Sequence, residues 1–526
     1  MLMNIMQGKR DMPLFKDFVP RWMRPWIYLF FAFVFQLSDC VYVGSINQMV
    51  GSTPLIKEDI MMILFFSLVG INVPFPFFFR LKFRFKNKQM LLTCAIVILL
   101  GNLIAINTTS MPVLCIAAYI TGFCKLWGTF ECMSNIQLWL TPERDFSIFF
   151  PFLYILVLGN IQLNEVMSTY INYFFQWQYV QLFMIGLLLI VILILVTSTK
   201  MFHFMKPLPL FGMDWLGCLL WSALLLELIY IFNYGEYYNW WDSMKIRYML
   251  LASLITGYFC IGRMRHIRHP FISPKAWQYK NLVPLLILFF VSEVLCSTPT
   301  VLQNALAEGV LHFDSLHTVY FTMMVIVGTV IGCMFTLAWM RIFHLPYVRL
   351  LSIGYAALVV YQILMYFYVS PDVNIERFYF PNLLKGFGYS VVFCALTIYL
   401  EELMPFEHFF HGLFIVGIVR TGLGAAIGAA LYGFGMRYYV ADNIVRYIGT
   451  PLARLSTFGK QLEMISIKQL FGWTCLVGLG FLLFFLLFDV PTIRNGLKRM
   501  PYWNVLGRMM KKELKKDEQT VSARQH

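Results

Sequence analysis

Eight ionisable side chains stand inside long apolar runs: Asp39, Lys125, Glu131, Glu165, Glu227, Glu293, Lys385 and Arg420. Placing such a group in a bilayer costs roughly 2.5–3.5 kcal/mol on insertion scales, so it normally faces a partner or a cavity. A carboxyl kept from water holds its proton more tightly, and a nearby cation opposes that. One such site can take a proton or a cationic molecule but not both, which makes exchange the natural chemistry of this set. Asp39, near the middle of the first run, is the leading candidate, followed by Glu165 and Glu293, with Arg420 as a basic counterpart. Lys125 is placed to tune a carboxyl group, and Glu165 on the next run is its expected partner. Lys125 and Glu131 are six residues apart, about 240° around a helix, so they cannot pair with each other. Glu131 and Glu227 are expected to reach water near the two membrane faces.

Polar groups are dense in the fifth run, where Asn160, Gln162 and Asn164 precede Glu165. Asn160 and Asn164 share a helical face at i, i+4, which predicts a wet interior rather than lipid contact. Trp127, Phe130 and Tyr389 are candidate aromatic linings for that interior. Gly424 and Gly428 form a small-residue face, flanked by Ala425, Ala426, Ala429 and Ala430, that suits close helix contact. Glu401, Glu402, Glu407, His408 and His411 surround Pro405, a pattern expected of a solvated loop rather than a metal site. No phosphate-binding glycine loop, Ser-His-Asp set or HExxH pattern is present, so neither an ATP-driven pump nor an enzyme is expected. The 11 cysteines are scattered without metal-type spacing and call for no metal or cofactor.

The elements that must position these residues are membrane spans. Hydrophobic residues make up 59% of the 526, charged ones only 13%, and the mean hydropathy is +0.69. A soluble domain carries roughly 25% charged residues. Spanning segments of about 20 residues are read at 25–45, 57–79, 89–109, 113–138, 147–172, 178–198, 214–234, 246–264, 282–305, 315–339, 346–369, 378–402, 411–435 and 469–489. The stretch Phe175-Gln176-Trp177-Gln178 reads as an interface turn. With an even number of spans, about 29 Lys and Arg fall on the side of the termini against about nine on the other. That asymmetry places both termini in the cytoplasm and makes the net charge of +14 a topology signal rather than a nucleic-acid surface. Residues 1–24 are basic and Met-rich, with no apolar stretch before a small-residue cleavage site.

The basic loop Arg80-Leu81-Lys82-Phe83-Arg84 has a weaker counterpart between Arg341 and Arg349, which predicts two six-helix repeats with two helices inserted between them. Asp214-Trp215-Leu216-Gly217 with Gly235 to Asp242, Arg268-His269-Pro270-Phe271, Leu37-Ser38-Asp39, and His411-Gly412 with Arg420 to Ala430 all resemble motifs of one family. It is the 14-helix drug:proton antiporter branch of the major facilitator superfamily, the EmrB/QacA type. The loop after the second run departs from that family: Phe79 and Lys86 stand at its glycine positions and Phe83 at its acidic one, while Arg84 and Lys88 fit. The resemblance implies an all-α polytopic membrane protein with the major facilitator fold. It divides the chain into a cytoplasmic segment at 1–24, a bundle at 25–198, a linker with two extra helices at 199–281, a second bundle at 282–490 and a basic tail at 491–526. It also implies proton-coupled export of amphipathic organic compounds across a bacterial inner membrane, with Asp39 at the family's acidic position. A periplasmic adaptor and an outer-membrane channel are partners that some relatives use. Transport of one specific metabolite, siderophore or lipid-like molecule, and a transport-inactive receptor, are the alternatives.

Overall fold

The structure, a computed structural model, describes residues 14–141, 145–201, 212–343, 347–448 and 457–487. Thirteen of its helices are long and apolar enough to cross a membrane. With the shorter Arg24–Leu37 (α1), they are Lys57–Phe78 (α2), Asn87–Asn107 (α3), Met111–Leu140 (α4), Phe146–Phe174 (α5), Gln178–Ser198 (α6), Trp215–Gly235 (α7) and Met244–His266 (α8). The rest are Leu282–Val310 (α9), Ser315–Arg341 (α10), Tyr347–Tyr368 (α11), Ile375–Leu403 (α12), His408–Tyr447 (α13) and Phe458–Leu483 (α14). Each expected run therefore has its helix. Apart from a single bridge between Phe15 and Thr199, the described residues form helices and turns. In a bilayer only structures that satisfy their own backbone survive, and helices do so within one segment.

Three boundaries differ from the sequence reading. The first run is not one helix: α1 stops at Leu37, residues 38–42 are non-helical, and a short helix resumes over Ile46–Ser52. Ser38 turns its hydroxyl back to the Val34 carbonyl at 2.7 Å and its backbone is extended, the competition that Ser and Asp side chains bring to a helix. The last two helices are longer than their apolar stretches. Residues 436–447 and 458–468, read as part of a loop, extend α13 and α14. Their charges escape a hydropathy window but suit helix ends in water, as with the i, i+4 pair of Arg446 and Asp442 at 2.8 Å.

The two repeats share a construction detail. In the first, α2 crosses α4 at Gly70 and Gly122: a Cβ on Gly122 would lie 2.1 Å from the Ser67 carbonyl oxygen, and one on Gly70 2.2 Å from that of Tyr119. In the second, α10 crosses α12 at Gly328 and Gly386, where a Cβ would lie 2.1 Å from the Leu383 oxygen and 2.2 Å from the Val325 oxygen. Second and fourth helices of each set thus meet backbone to backbone, as small residues permit in lipid. Between the repeats, α5 packs on α10, and α2 meets α13 where Asn72 lies against Gly417. The inserted pair packs as a hairpin, with α7 against α2 and α13 and α8 outermost. Gly122→Ala is expected to lower the melting temperature in detergent by an overpacking cost of about 1–3 kcal/mol. Gly186→Ala on α6, where a Cβ meets nothing within 4 Å, serves as the control that leaves it unchanged or raised.

Candidate functional site

The break in α1 presents Asp39 to the middle of two neighbours. Lys125, halfway along α4, donates to Asp39 Oδ2 at 2.7 Å, and Ser67, halfway along α2, donates to Oδ1 at 3.0 Å. The Lys125 and Asp39 side chains are 6% and 19% exposed. The Asp39 backbone N–H reaches the Tyr42 hydroxyl, which donates to Asn102 on α3 at 2.9 Å. Asn164 on α5 donates to the Leu37 carbonyl at 2.7 Å, satisfying a group that the break would otherwise orphan. The expected partner of Lys125 was Glu165; the cation meets Asp39 instead, because the broken helix carries that carboxylate to it.

Glu165 points the other way. Successive helical residues project about 100° apart, so Asn164 faces α1 while Glu165 accepts from Thr322 on α10 at 3.3 Å. Lys385 on α12 lies within charge-interaction range of both Glu165 and Glu293. Glu293 on α9 forms another close ion pair, with Arg420 Nε at 2.9 Å. Tyr389 joins it, donating to Glu293 at 2.7 Å and accepting from Arg420 at 3.0 Å. The guanidinium lies 4.2 Å from the centre of the Phe393 ring. Arg420 belongs to a wide π-type turn over Ile418–Gly424, a distortion common where a helix must re-aim a side chain. Gly424 and Gly428 make room for this: a Cβ there would lie 3.0 Å from Glu293 Cβ and 2.4 Å from the Ser297 hydroxyl.

Other candidates sit elsewhere. Asn160 is buried, and its Oδ1 meets no hydrogen-bond partner among the described residues. Gln162 is half-buried. Trp127 is buried and packs edge-on against Phe85 and Phe123. Glu131 was expected to reach water but is 1% exposed. It accepts from Asn87, from Asn135 at 3.4 Å, and faces Lys82 at 3.8 Å, because three polar helix ends converge there. Glu227 is half-buried and accepts from Thr256 across the inserted hairpin at 3.1 Å. The residues around Pro405 do not form a solvated loop: α12 and α13 abut, Glu402 accepts from Tyr347 at 3.0 Å, and His408 and His411 are half-buried. The Glu407 side chain lies outside the described residues. No group of three or more His, Cys, Asp and Glu is arranged for a metal among the described residues.

At the membrane face where α5 begins and α10 ends, aromatic rings from both repeats close over the charged interior. Phe78 and Phe130 meet Phe410 at 5.7 and 5.6 Å between ring centres, and Phe150 meets Phe409 at 6.2 Å. Deeper, Tyr154 meets Phe393 edge-on at 4.6 Å. Arg341 at the end of α10 reaches Asp145, the N-cap of α5, at 3.3 Å. Sequence reasoning missed Ser67, Tyr42, Asn102 and Thr322, since short polar residues in apolar runs carry no signal until their partners are known. It also missed what Asp214 does. That residue caps α7 through Gly217, pairs with Arg263 of α8 at 2.7 Å and holds the Phe271 N–H at 3.2 Å, so one carboxylate joins the hairpin to the linker.

No protein-family profile matches the chain, and no curated protein matches it by sequence. Solved structures do. A peptide transporter POT, in complex with sulfate, aligns with a TM-score of 0.59 at 12% identity, covering 94% of this chain and 99% of that one. Tetrameric PepTSo2 aligns at 0.56 and 11%, covering 90% and 98%. These are transporters of the major facilitator type, and the chain has their fold.

Removing one partner of a buried pair leaves an uncompensated charge and costs about 3–5 kcal/mol. Lys125→Met is therefore expected to lower the melting temperature strongly, and adding Asp39→Asn to recover most of the loss. A double variant that melts as low as the single would show that the pair does not hold α1 in place.

Proposed function

We propose that the protein is a secondary active transporter that exports small amphipathic organic compounds in exchange for protons by alternating access. The observation that carries this reading is the Asp39–Lys125 pair at the break of α1. A discontinuous helix at mid-membrane is a recurrent way to build a coupling site. A proton arriving at Asp39 frees Lys125 and weakens the tie between α1, α2 and α4. Loss of that proton restores the tie. Substrate meets the second cluster, where Glu293, Arg420 and Lys385 offer both charges beside the flat faces of Tyr389 and Phe393. Glu165 couples the two, because its helix touches α1 through Asn164 and α10 through Thr322. The closed aromatic side is the cytoplasmic one if the basic loops face inward, as the charge asymmetry favours.

A second reading is a carrier for one specific zwitterionic metabolite. Buried groups of both signs in one place favour it, since a site built for polar recognition rejects analogues that lack the matching group. A broad competition profile supports export of many compounds, and a narrow saturable one supports the metabolite.

The decisive measurement uses the purified protein in liposomes. Asp39→Asn is expected to reduce substrate flux driven by a pH gradient to the level of empty vesicles, while substrate-for-substrate exchange without a gradient persists. Gradient-driven flux equal to wild type in Asp39→Asn removes this residue from the coupling mechanism.

A further inference from the structure

One charge in the interior is left unmatched. Lys385, well inside α12, is half-buried at membrane depth and has neither a hydrogen bond nor a close ion pair among the described residues. Its acidic neighbours are engaged elsewhere. Glu293 accepts from Arg420 at 2.9 Å and from Tyr389 at 2.7 Å. Glu165 accepts from Thr322 at 3.3 Å. Both lie within charge-interaction range of Lys385, yet neither pairs with it. The lysine of the first repeat shows the completed arrangement, with Lys125 on Asp39 at 2.7 Å. An ammonium taken out of water without a partner is costly, so this position calls for an anion from outside the chain.

We infer that the Lys385 ammonium receives a carboxylate of the transported molecule, so that the substrates are amphipathic organic acids. This rests on the second cluster being the place where substrate binds. A doubly charged phosphate suits the position less, because Glu165 and Glu293 stand within range and repel a second negative charge. Glu293 does not compete for the ammonium, since Arg420 and Tyr389 hold it. Tyr389 follows Lys385 by one turn on the same face of α12. Its half-buried ring stacks on Phe393 at 6.0 Å between centres. The stripe therefore runs from a cation to flat apolar surface, which matches an acid with an apolar body.

Cys296 supplies the reporter. It lies on α9 within charge-interaction range of Lys385, Glu293 and Arg420. Ten of the 11 cysteines are buried, and Cys296 is half-buried. Labelling of the purified full chain by N-ethylmaleimide is therefore expected at Cys296, and Cys296→Ser to remove it. The probes are naphthoate, its neutral amide and the cation naphthylmethylammonium. Naphthoate is expected to protect Cys296 at about a tenfold lower concentration than the amide, the worth of one hydrogen bond to a charged group. Lys385→Gln is expected to erase that advantage, and Lys385→Arg, which keeps the charge, to retain it. Equal protection by acid and amide, better protection by the cation, or an advantage that survives in Lys385→Gln overturns the assignment. The comparison of the three probes on the wild-type chain needs no variant, so it decides even where Lys385→Gln folds poorly. Absence of protection by all three overturns the assignment together with the placing of substrate at this cluster. Should the acid keep its advantage while Asp39→Asn keeps gradient-driven flux, proton coupling at Asp39 falls and the carboxylate site stands.

Discussion

Breaking a helix in the middle of a bilayer strips backbone groups of their partners where no water can replace them. The surroundings of α1 answer that cost. Asn164 takes the Leu37 carbonyl, Tyr42 receives the Asp39 N–H and is itself held by Asn102, and Lys125 neutralises the carboxylate that the break exposes. These groups come from α5, α3 and α4, so the interruption dictates the polar content of three other helices. The glycine crossing of α2 and α4 is part of the same solution, since it brings Ser67 and Lys125 close enough to share one carboxylate.

The two repeats use similar parts differently. The first span of each holds an acid, Asp39 in the break that follows α1 or Glu293 within α9, and the fourth carries a lysine, Lys125 or Lys385. In the first repeat acid and lysine are in contact. In the second the acid turns to Arg420, and Lys385 lies within charge-interaction range of both Glu293 and Glu165. The arginine that takes the acid in the second repeat stands in the π-type turn of α13, whereas the fifth helix of the first repeat, α5, offers Asn164 and Glu165 but no cation. One charged cluster therefore lies within a repeat and the other straddles the boundary between them.

The fold was legible in the sequence because a membrane imposes a coarse rule: long apolar runs, basic loops on one side and a repeat of six. The inserted pair was legible too, through its two apolar runs and the motif Asp214-Trp215-Leu216-Gly217, though not through the cap that Asp214 forms on Gly217. The pairing of charges was not. Asp39 and Lys125 are 86 residues apart, and nothing in either run says that α1 breaks between them. Glu131 illustrates the same limit, for the run of α4 gives its depth but not the amide groups of Asn87 and Asn135 that make its burial tolerable. Helix ends that leave the hydrocarbon, as in α13 and α14, also escape an argument based on apolar length.

The rings of Phe78, Phe130, Phe150, Phe409 and Phe410 form a dry stopper, whereas the ion pair of Arg341 and Asp145 beside them is partly exposed and therefore weak and screened by salt. Parting the halves on that face means wetting five aromatic surfaces at once. These ring contacts stabilise the closed arrangement of this face. Ionic strength has little hold over it, while cooling, which weakens the aversion of such surfaces to water, loosens the hatch.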